Sequence, residues 1–182
     1  MGIFSLFKVL KSINDNIKNA KKYLSMSTDE LLALTDEQLY DALNEVLYCN
    51  IDIEDFDTIN NVQKNISTLF QFDAEIQNGG LCQFFVNSSS DFAPFVEESL
   101  SEIGAAKILE LFKNFIADNR IDLSDLSSFK ISKAEEFEVQ NNRYPFDAFD
   151  DAYYDIYEDE NLEVLLTTYA RKHIDEVFAG LK

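Results

Sequence analysis

Apolar residues recur every three or four positions along most of the chain, which is the spacing of an amphipathic α-helix. The apolar positions of residues 58–77 predict one long helix. One apolar stripe begins after Pro145, another covers residues 162–169, and their registers differ, so a break between two helices is expected near residues 158–161. No stretch sustains the period of two that predicts a β-strand. The pattern predicts an all-α fold: a single compact multi-helix domain.

Short sequence signals mark several helix ends. The capping-box pattern, in which Ser or Thr is followed three residues later by Glu or Gln, begins at Ser27 and at Thr35. Gly104 separates two predicted helices, and Pro145 suits the first position of another because the first turn leaves its N–H groups unpaired. Together with the apolar pattern, these signals predict a short helix after Ser27 and helices at about 36–48, 92–103, 105–118 and 133–143.

The long helix is interrupted at residues 78–80 and resumes at Leu81. Glycine, and to a lesser degree asparagine, adopts the left-handed backbone that ends a helix. We interpret the interruption as a tight helical corner whose two phenylalanines enter the core, and a ligand-binding loop is the alternative. The predicted structural motif comprises Asn78, Gly79, Gly80, Gln83, Phe84, Phe85 and Asn87.

The corner and the residues around it carry a family signature. It consists of Gln77-Asn78-Gly79-Gly80, Gln83-Phe84-Phe85, Asn87-Ser88-Ser89 and Gly104. From near Leu39 to Phe178 the chain resembles a family of small acidic bacterial domains, mostly of unknown function, that includes a helical DNA-mimic protein. That member is a dimer, and it occupies the DNA-binding surface of a transcription factor. The resemblance implies a helical fold, a role in transcription regulation and a homodimer.

The charge of the chain is strongly negative and uneven. The formal net charge is −19, with 15 basic and 34 acidic residues. Residues 1–22 contain five lysines and one aspartate, so residues 23–182 carry ten basic residues against 33 acidic ones, a net charge of −23. A segment with this net charge repels nucleic acid and anionic lipid and attracts basic protein surfaces. We therefore expect a basic, DNA-binding protein as the partner and no direct contact with nucleic acid.

The strongest concentration of acid lies between residues 144 and 170, which contain eight acidic residues and no basic one. Aspartates recur there at every fourth position from 147 to 159, so one helix face would carry carboxylates about 6 Å apart. This face is either solvated or protein-binding; in the solvated alternative, Asp159 caps the next helix. The candidate partner-binding residues are Asp147, Asp150, Asp151, Asp155, Glu158 and Asp159.

The N-terminal segment has a different character from the rest. Residues 3–20 place their apolar side chains on one helical stripe and most lysines outside it. We divide the chain into an amphipathic N-terminal extension, residues 1–26, and an acidic all-α domain, residues 27–182. The extension is expected to dock on the domain or on a second subunit, and contact with a membrane surface is the alternative.

Catalytic and metal-binding patterns are weak. His173 is the one histidine and has no Glu three residues before it, so the Glu-x-x-His motif of di-metal bundles is missing, and we interpret it as packed or capping. Cys82 has no histidine or basic residue nearby that would activate its thiol. An enzyme would have to rely on Asn78, Gln83 and Asn87. We predict no cofactor and no metal, and two free cysteines in a cytoplasmic protein.

These observations favour a non-enzymatic acidic protein that covers the DNA-binding surface of a basic protein such as a transcription factor. Two alternatives stay open. The first is an immunity-type inhibitor of a basic toxin, for which the same acidity would serve. The second is an enzyme with an unrecognised polar site at the corner.

Overall fold

The computed structural model describes residues 18–51 and 53–181, without the side chains of residues 48–50 and 55. Most of the predicted N-terminal extension, residues 1–17, lies outside the described part. Every regular element in the described residues is helical, which confirms the all-α prediction. The α-helices are α1 (18–24), α2 (Thr28–Leu32), α3 (Asp36–Asn50), α4 (Asn61–Val86), α5 (Val96–Ile103), α6 (Ala106–Asn119), α7 (Glu136–Asn141), α8 (Phe146–Tyr157), α9 (Leu162–Lys172) and α10 (Ile174–Val177).

The described chain divides into two compact units, the first of residues 18–51, 53–63 and 167–181 and the second of residues 64–166. Both predicted capping boxes form in the first unit. The Ser27 hydroxyl accepts the N–H of Glu30 at 3.3 Å, and the Glu30 carboxylate accepts the N–H of Ser27 at 2.8 Å. Thr35 and Gln38 make the equivalent pair at 3.2 and 3.1 Å. These bonds satisfy N–H groups that a helix start leaves without an intrahelical partner.

Arg171, near the end of α9, holds the turn between α2 and α3 in the same unit. Its guanidinium donates to the carbonyl oxygens of Leu32 and Leu34 at 2.8 and 2.7 Å. It also donates to Oδ1 of Asp36, in the first turn of α3, at 2.8 Å. One cation thus binds the carbonyl of the last residue of α2, a carbonyl of the turn that follows and the acid that begins the next helix.

The second unit has a core of aromatic rings. Phe72 of α4 makes edge contacts with Phe84 and Phe112, with ring centroids 5.3 and 5.5 Å apart. Phe85 contacts Phe129 at 5.0 Å. All five rings are buried, as predicted for the two phenylalanines that follow the corner. Full burial of each ring contributes about 1.5–3 kcal/mol, and edge-to-face pairing adds to that.

Several predicted helix limits differ from the structure. The helix expected to begin at residue 92 begins at Val96, because a 3₁₀ helix, Ser88–Phe95, precedes it and contains Pro94. Proline has no N–H to donate, and because Pro94 lies two residues before Val96 it removes no hydrogen bond from the interior of α5. The helix expected over 133–143 spans Glu136–Asn141 only. Pro145 lies at the cap position of α8, one residue before the predicted place. Further 3₁₀ turns form at Ile53–Asp55 and Ser127–Phe129.

Candidate partner-binding face

The predicted corner is a bend within α4 of the second unit. Gly79 has φ −168° and ψ 21°, and Gly80 has φ 83° and ψ 175°, so neither is helical. Only Gly80 lies in a region that favours glycine, since the φ of Gly79 is extended backbone that any residue adopts. Asn78 is exposed beside them. The chain thus bends at Gly79 and Gly80, and the positive φ belongs to Gly80.

The polar residues of the signature hold the two halves of α4 together. Glu75, before the bend, accepts hydrogen bonds from Gln83 at 2.6 Å, from Asn87 at 2.9 and 3.1 Å, and from the Ser89 hydroxyl at 2.9 Å. A Cβ at Gly79 would collide with the Gln83 side-chain oxygen, so the glycine leaves room for this cluster. Gln83 and Asn87 are thus both hydrogen-bonded to a residue on the other side of the bend.

Helix α8 makes one hydrogen bond to α4 before the bend and one after it. Oδ1 of Asp150 accepts the backbone N–H of Leu81, where the helix resumes, at 2.9 Å. The Tyr154 hydroxyl donates to the carbonyl of Ile76, in the turn before the bend, at 3.0 Å. Asp150 is half-buried, and burial raises the pKa of its carboxyl, while the Leu81 N–H opposes that rise. Among the predicted partner-binding residues, Asp150 is the half-buried one, and its carboxylate accepts a backbone N–H of another helix.

A second acid on α4, Asp73, is buried against α8. Its Oδ1 accepts the Tyr153 hydroxyl at 2.6 Å, and Gln77 and Tyr157 lie at 3.4 and 3.5 Å from its carboxylate oxygens. Burial raises the pKa of Asp73, and the hydrogen bonds oppose the rise. The sequence analysis missed both Asp73 and Glu75. The sequence did carry a signal for them. Both acids lie on or beside the apolar stripe of a helix, and the chain has tyrosine and amide side chains elsewhere that can donate hydrogen bonds to a carboxylate.

The remaining predicted carboxylates of α8 and the residues after it are exposed. Within the described residues, the side chains of Asp151, Asp155 and Glu158 make no hydrogen bond and no ion pair. Asp147 accepts a hydrogen bond from the Asn141 amide at 3.2 Å. The acidic face, as we call it, comprises Asp147, Asp151, Asp155, Glu158 and Asp159.

Among the residues of the second unit, one lysine forms an ion pair with the acidic face, at the end of that face. Asp159 pairs with Lys107 at 3.0 Å, with 75% and 55% of their side chains exposed, so the pair contributes about 0–1 kcal/mol. The proposed capping of α9 by Asp159 is not observed, because the Asn161 side chain accepts the N–H of Val164 at 3.2 Å. The neighbouring Glu160 caps α6 instead, accepting the backbone N–H of Lys107 and that of the residue after it.

Cys82 and His173, whose side chains were weighed as catalytic groups, both lie in the described part of the chain. The Cys82 thiol is buried, and burial raises its pKa to about 12, which suppresses the reactive thiolate. His173 packs on Tyr169, with ring centroids 4.7 Å apart, and its Nδ1 lies 2.8 Å from Glu176. No three His, Cys, Asp or Glu residues of the described chain are grouped so as to hold a metal ion. Over the same residues, no helix has the length and apolar character needed to cross a membrane.

Comparison with known proteins identifies the family of the chain. No curated protein and no solved structure matches the chain. The sequence profile of the DMP19-like protein family matches residues 57–173, which is more than half of the chain. The matched segment contains the glycine corner, the hydrogen-bonded cluster around Glu75 and the whole of α8. The chain therefore belongs to the DMP19-like protein family.

Proposed function

We propose that this protein is a DNA mimic whose acidic face covers the DNA-binding surface of a basic protein such as a transcription factor. One observation carries the proposal: Asp151, Asp155 and Glu158 are exposed and have no partner among the described residues. Because α8 is anchored through its other side, these carboxylates form a fixed array. Membership of a DNA-mimic family supports the same function.

The spacing of the acidic face suits a surface that reads a phosphate backbone. Asp147, Asp151 and Asp155 are each four residues apart on α8, so their carboxylates follow one another at about 6 Å. One strand of duplex DNA carries a charge about every 3.4 Å along the axis. The face thus presents about half the charge density of a single strand. A net charge of −19 adds long-range attraction to a basic partner.

The like-charge neighbours on α8 are costly for the helix itself. Each pair of acids four residues apart destabilises a helix by a few tenths of a kcal/mol. A helix that needed these acids only for solubility would not require them on one stripe. The function that we propose is non-enzymatic, because the conspicuous polar groups of the corner are engaged in holding the bend.

The test compares two variants of equal net charge. In the first, the face is neutralised at four positions, Asp147→Asn, Asp151→Asn, Asp155→Asn and Glu158→Gln. The matched control neutralises four exposed acids of α5 and α6, Glu98→Gln, Glu102→Gln, Glu110→Gln and Asp118→Asn. Each immobilised protein is exposed to a native lysate at low salt, and the bound proteins are identified and titrated individually.

We expect the wild type and the control to retain a DNA-binding protein that the face variant releases. The melting temperature of the face variant should be unchanged or slightly raised, since like-charge repulsion is relieved. Equal retention by the face variant and the wild type would refute the proposal. Equal loss by both variants would mean that net charge, not the acidic face, determines binding.

A further inference from the structure

The two contacts between α8 and the bend in α4 come from residues four positions apart. Asp150 accepts the N–H of Leu81, and Tyr154 donates to the carbonyl of Ile76. One bond lies after Gly80 and the other before it. Because Asp150 and Tyr154 are one helical turn apart, they project from the same edge of α8. Two such bonds fix both the position of α8 along its axis and its rotation about that axis.

The edge that carries these two residues lies between the buried face and the acidic face of α8. Phe149 and Tyr153 are buried, Asp150 is half-buried, and Tyr154 is 44% exposed. Asp151, the next residue after Asp150, is exposed. At 3.6 residues per turn, a rotation of α8 by one position would exchange the exposed Asp151 for the half-buried Asp150.

Gly80 makes the contact with Asp150 sterically feasible. A Cβ at this position would collide with Oδ2 of Asp150 and lie 2.8 Å from its Cγ. The carboxylate therefore occupies the space that a side chain would fill, directly beside the Leu81 N–H that it accepts. The glycine of the corner and the carboxylate of α8 form a matched pair.

We infer that Asp150 and Tyr154 are positioning residues: they orient α8 so that the acidic face points outward, and Asp150 does not itself contact the partner. This inference rests on the proposed function. It also differs from the sequence-based prediction, which grouped Asp150 with the partner-binding acids. The two alternatives predict opposite results for a substitution that removes the charge of Asp150 and keeps its hydrogen-bond acceptor.

The probe is a helix-stabilised peptide with arginine at every fourth position, whose cations match the spacing of the acidic face. A scrambled peptide of the same composition and charge is the reference. The ratio of the two affinities reports the arrangement of the carboxylates and not only their number. Binding is measured at low salt, at a temperature where circular dichroism shows each variant to be folded, and hydrogen exchange of the Leu81 amide is followed separately.

Four variants are compared with the wild type. Asp150→Asn keeps an acceptor oxygen, whereas Asp150→Leu removes it at similar volume. Asp151→Asn makes the same chemical change at the adjacent exposed residue and is the matched control. Tyr154→Phe removes the donor to Ile76 and keeps the ring, and it provides an independent test if Asp150→Leu does not fold.

We expect Asp150→Asn to keep the affinity ratio and the slow exchange of Leu81 near the wild-type values. Asp150→Leu should speed Leu81 exchange about tenfold or more, since a charge-assisted hydrogen bond is lost, and should bring the affinity ratio toward one. Tyr154→Phe should also lower the ratio. Asp151→Asn should weaken binding of the patterned peptide and leave Leu81 exchange unchanged.

Two results would overturn the inference while leaving the proposed function intact. The first is a loss of patterned-peptide affinity in Asp150→Asn as large as that in Asp151→Asn, which would make the Asp150 charge a partner contact. The second is a wild-type affinity ratio in folded Asp150→Leu or Tyr154→Phe. A wild type that does not distinguish the two peptides, or that is unaffected by Asp151→Asn, would instead contradict the proposed function.

Discussion

Replacement of Gly80 by alanine tests the physical account of the bend most severely. Gly80 has φ 83° and ψ 175°, a backbone region that is essentially restricted to glycine, and placing another residue there costs about 1–3 kcal/mol. The new Cβ would also displace the Asp150 carboxylate from the Leu81 N–H. Loss of that charge-assisted hydrogen bond adds about 1.5–3 kcal/mol. The reduced entropy of the unfolded chain returns about 0.4–1 kcal/mol.

The net expectation for Gly80→Ala is a loss of about 1.5–5.5 kcal/mol in the free energy of unfolding. For a chain of this length, each kcal/mol lowers the melting temperature by about 2–4 °C. Gly104→Ala is the matched control. Gly104 also has a positive φ, 82°, but no atom lies within 4 Å of the position its Cβ would take. It should therefore lose only about 1–2 kcal/mol, from the backbone conformation.

The assay is thermal denaturation of the wild type and both variants, followed by circular dichroism under identical conditions. The excess loss in Gly80→Ala over Gly104→Ala reports the contact with Asp150 together with the greater backbone strain at Gly80. Gly79→Ala adds a second comparison, because Gly79 has an extended φ and its Cβ would meet only the flexible end of Gln83. If Gly80→Ala proved no less stable than Gly104→Ala, the close contact between Gly80 and the Asp150 carboxylate would contribute nothing to the free energy of unfolding.

Two further predictions concern the acids of α4, the buried Asp73 and the half-buried Glu75. Burial raises the pKa of Asp73, so the folded state loses stability as the pH rises from the unfolded pKa through the folded pKa. Asp73→Asn should thus gain stability relative to the wild type between acidic and neutral pH, and a pH-independent difference in denaturation midpoints would contradict this. Glu75→Ala should cost about 1–3 kcal/mol in chemical denaturation, because Gln83, Asn87 and Ser89 lose a shared charged acceptor and the buried Ser89 hydroxyl keeps only the longer contact with the Phe84 carbonyl, at 3.3 Å. Asn87→Ala, at an exposed donor, should cost less, and an equal loss would argue against this role of Ser89.

The sequence was most informative where the signal is local. The capping boxes at Ser27 and Thr35 formed as predicted because each needs only residues within one helical turn. The corner was predictable for the same reason, since glycine at residues 79 and 80 removes helix propensity wherever the chain folds. The burial of the following two phenylalanines followed from their apolar character.

The sequence was least informative about carboxylates whose partners lie far along the chain. The sequence does not distinguish Asp150 from the other acids of its helix, because its partner Leu81 is 69 residues away. The partner of Asp73, Tyr153, is 80 residues away. Helical periodicity assigns a residue to a face, but Asp150 lies at the edge between two faces, where burial depends on what packs there. Only the tertiary structure separates it from Asp151.

The most direct test of the proposed function is competition with DNA for the captured partner. A labelled duplex is bound to that partner, and the wild type or the four-position face variant is titrated in while fluorescence anisotropy reports bound DNA. The account predicts that the wild type displaces the duplex, that displacement weakens with salt because exposed charges are screened over about 8 Å, and that the face variant is much weaker. A ternary complex that still holds the duplex, or equal displacement by both proteins, would contradict DNA mimicry by this face.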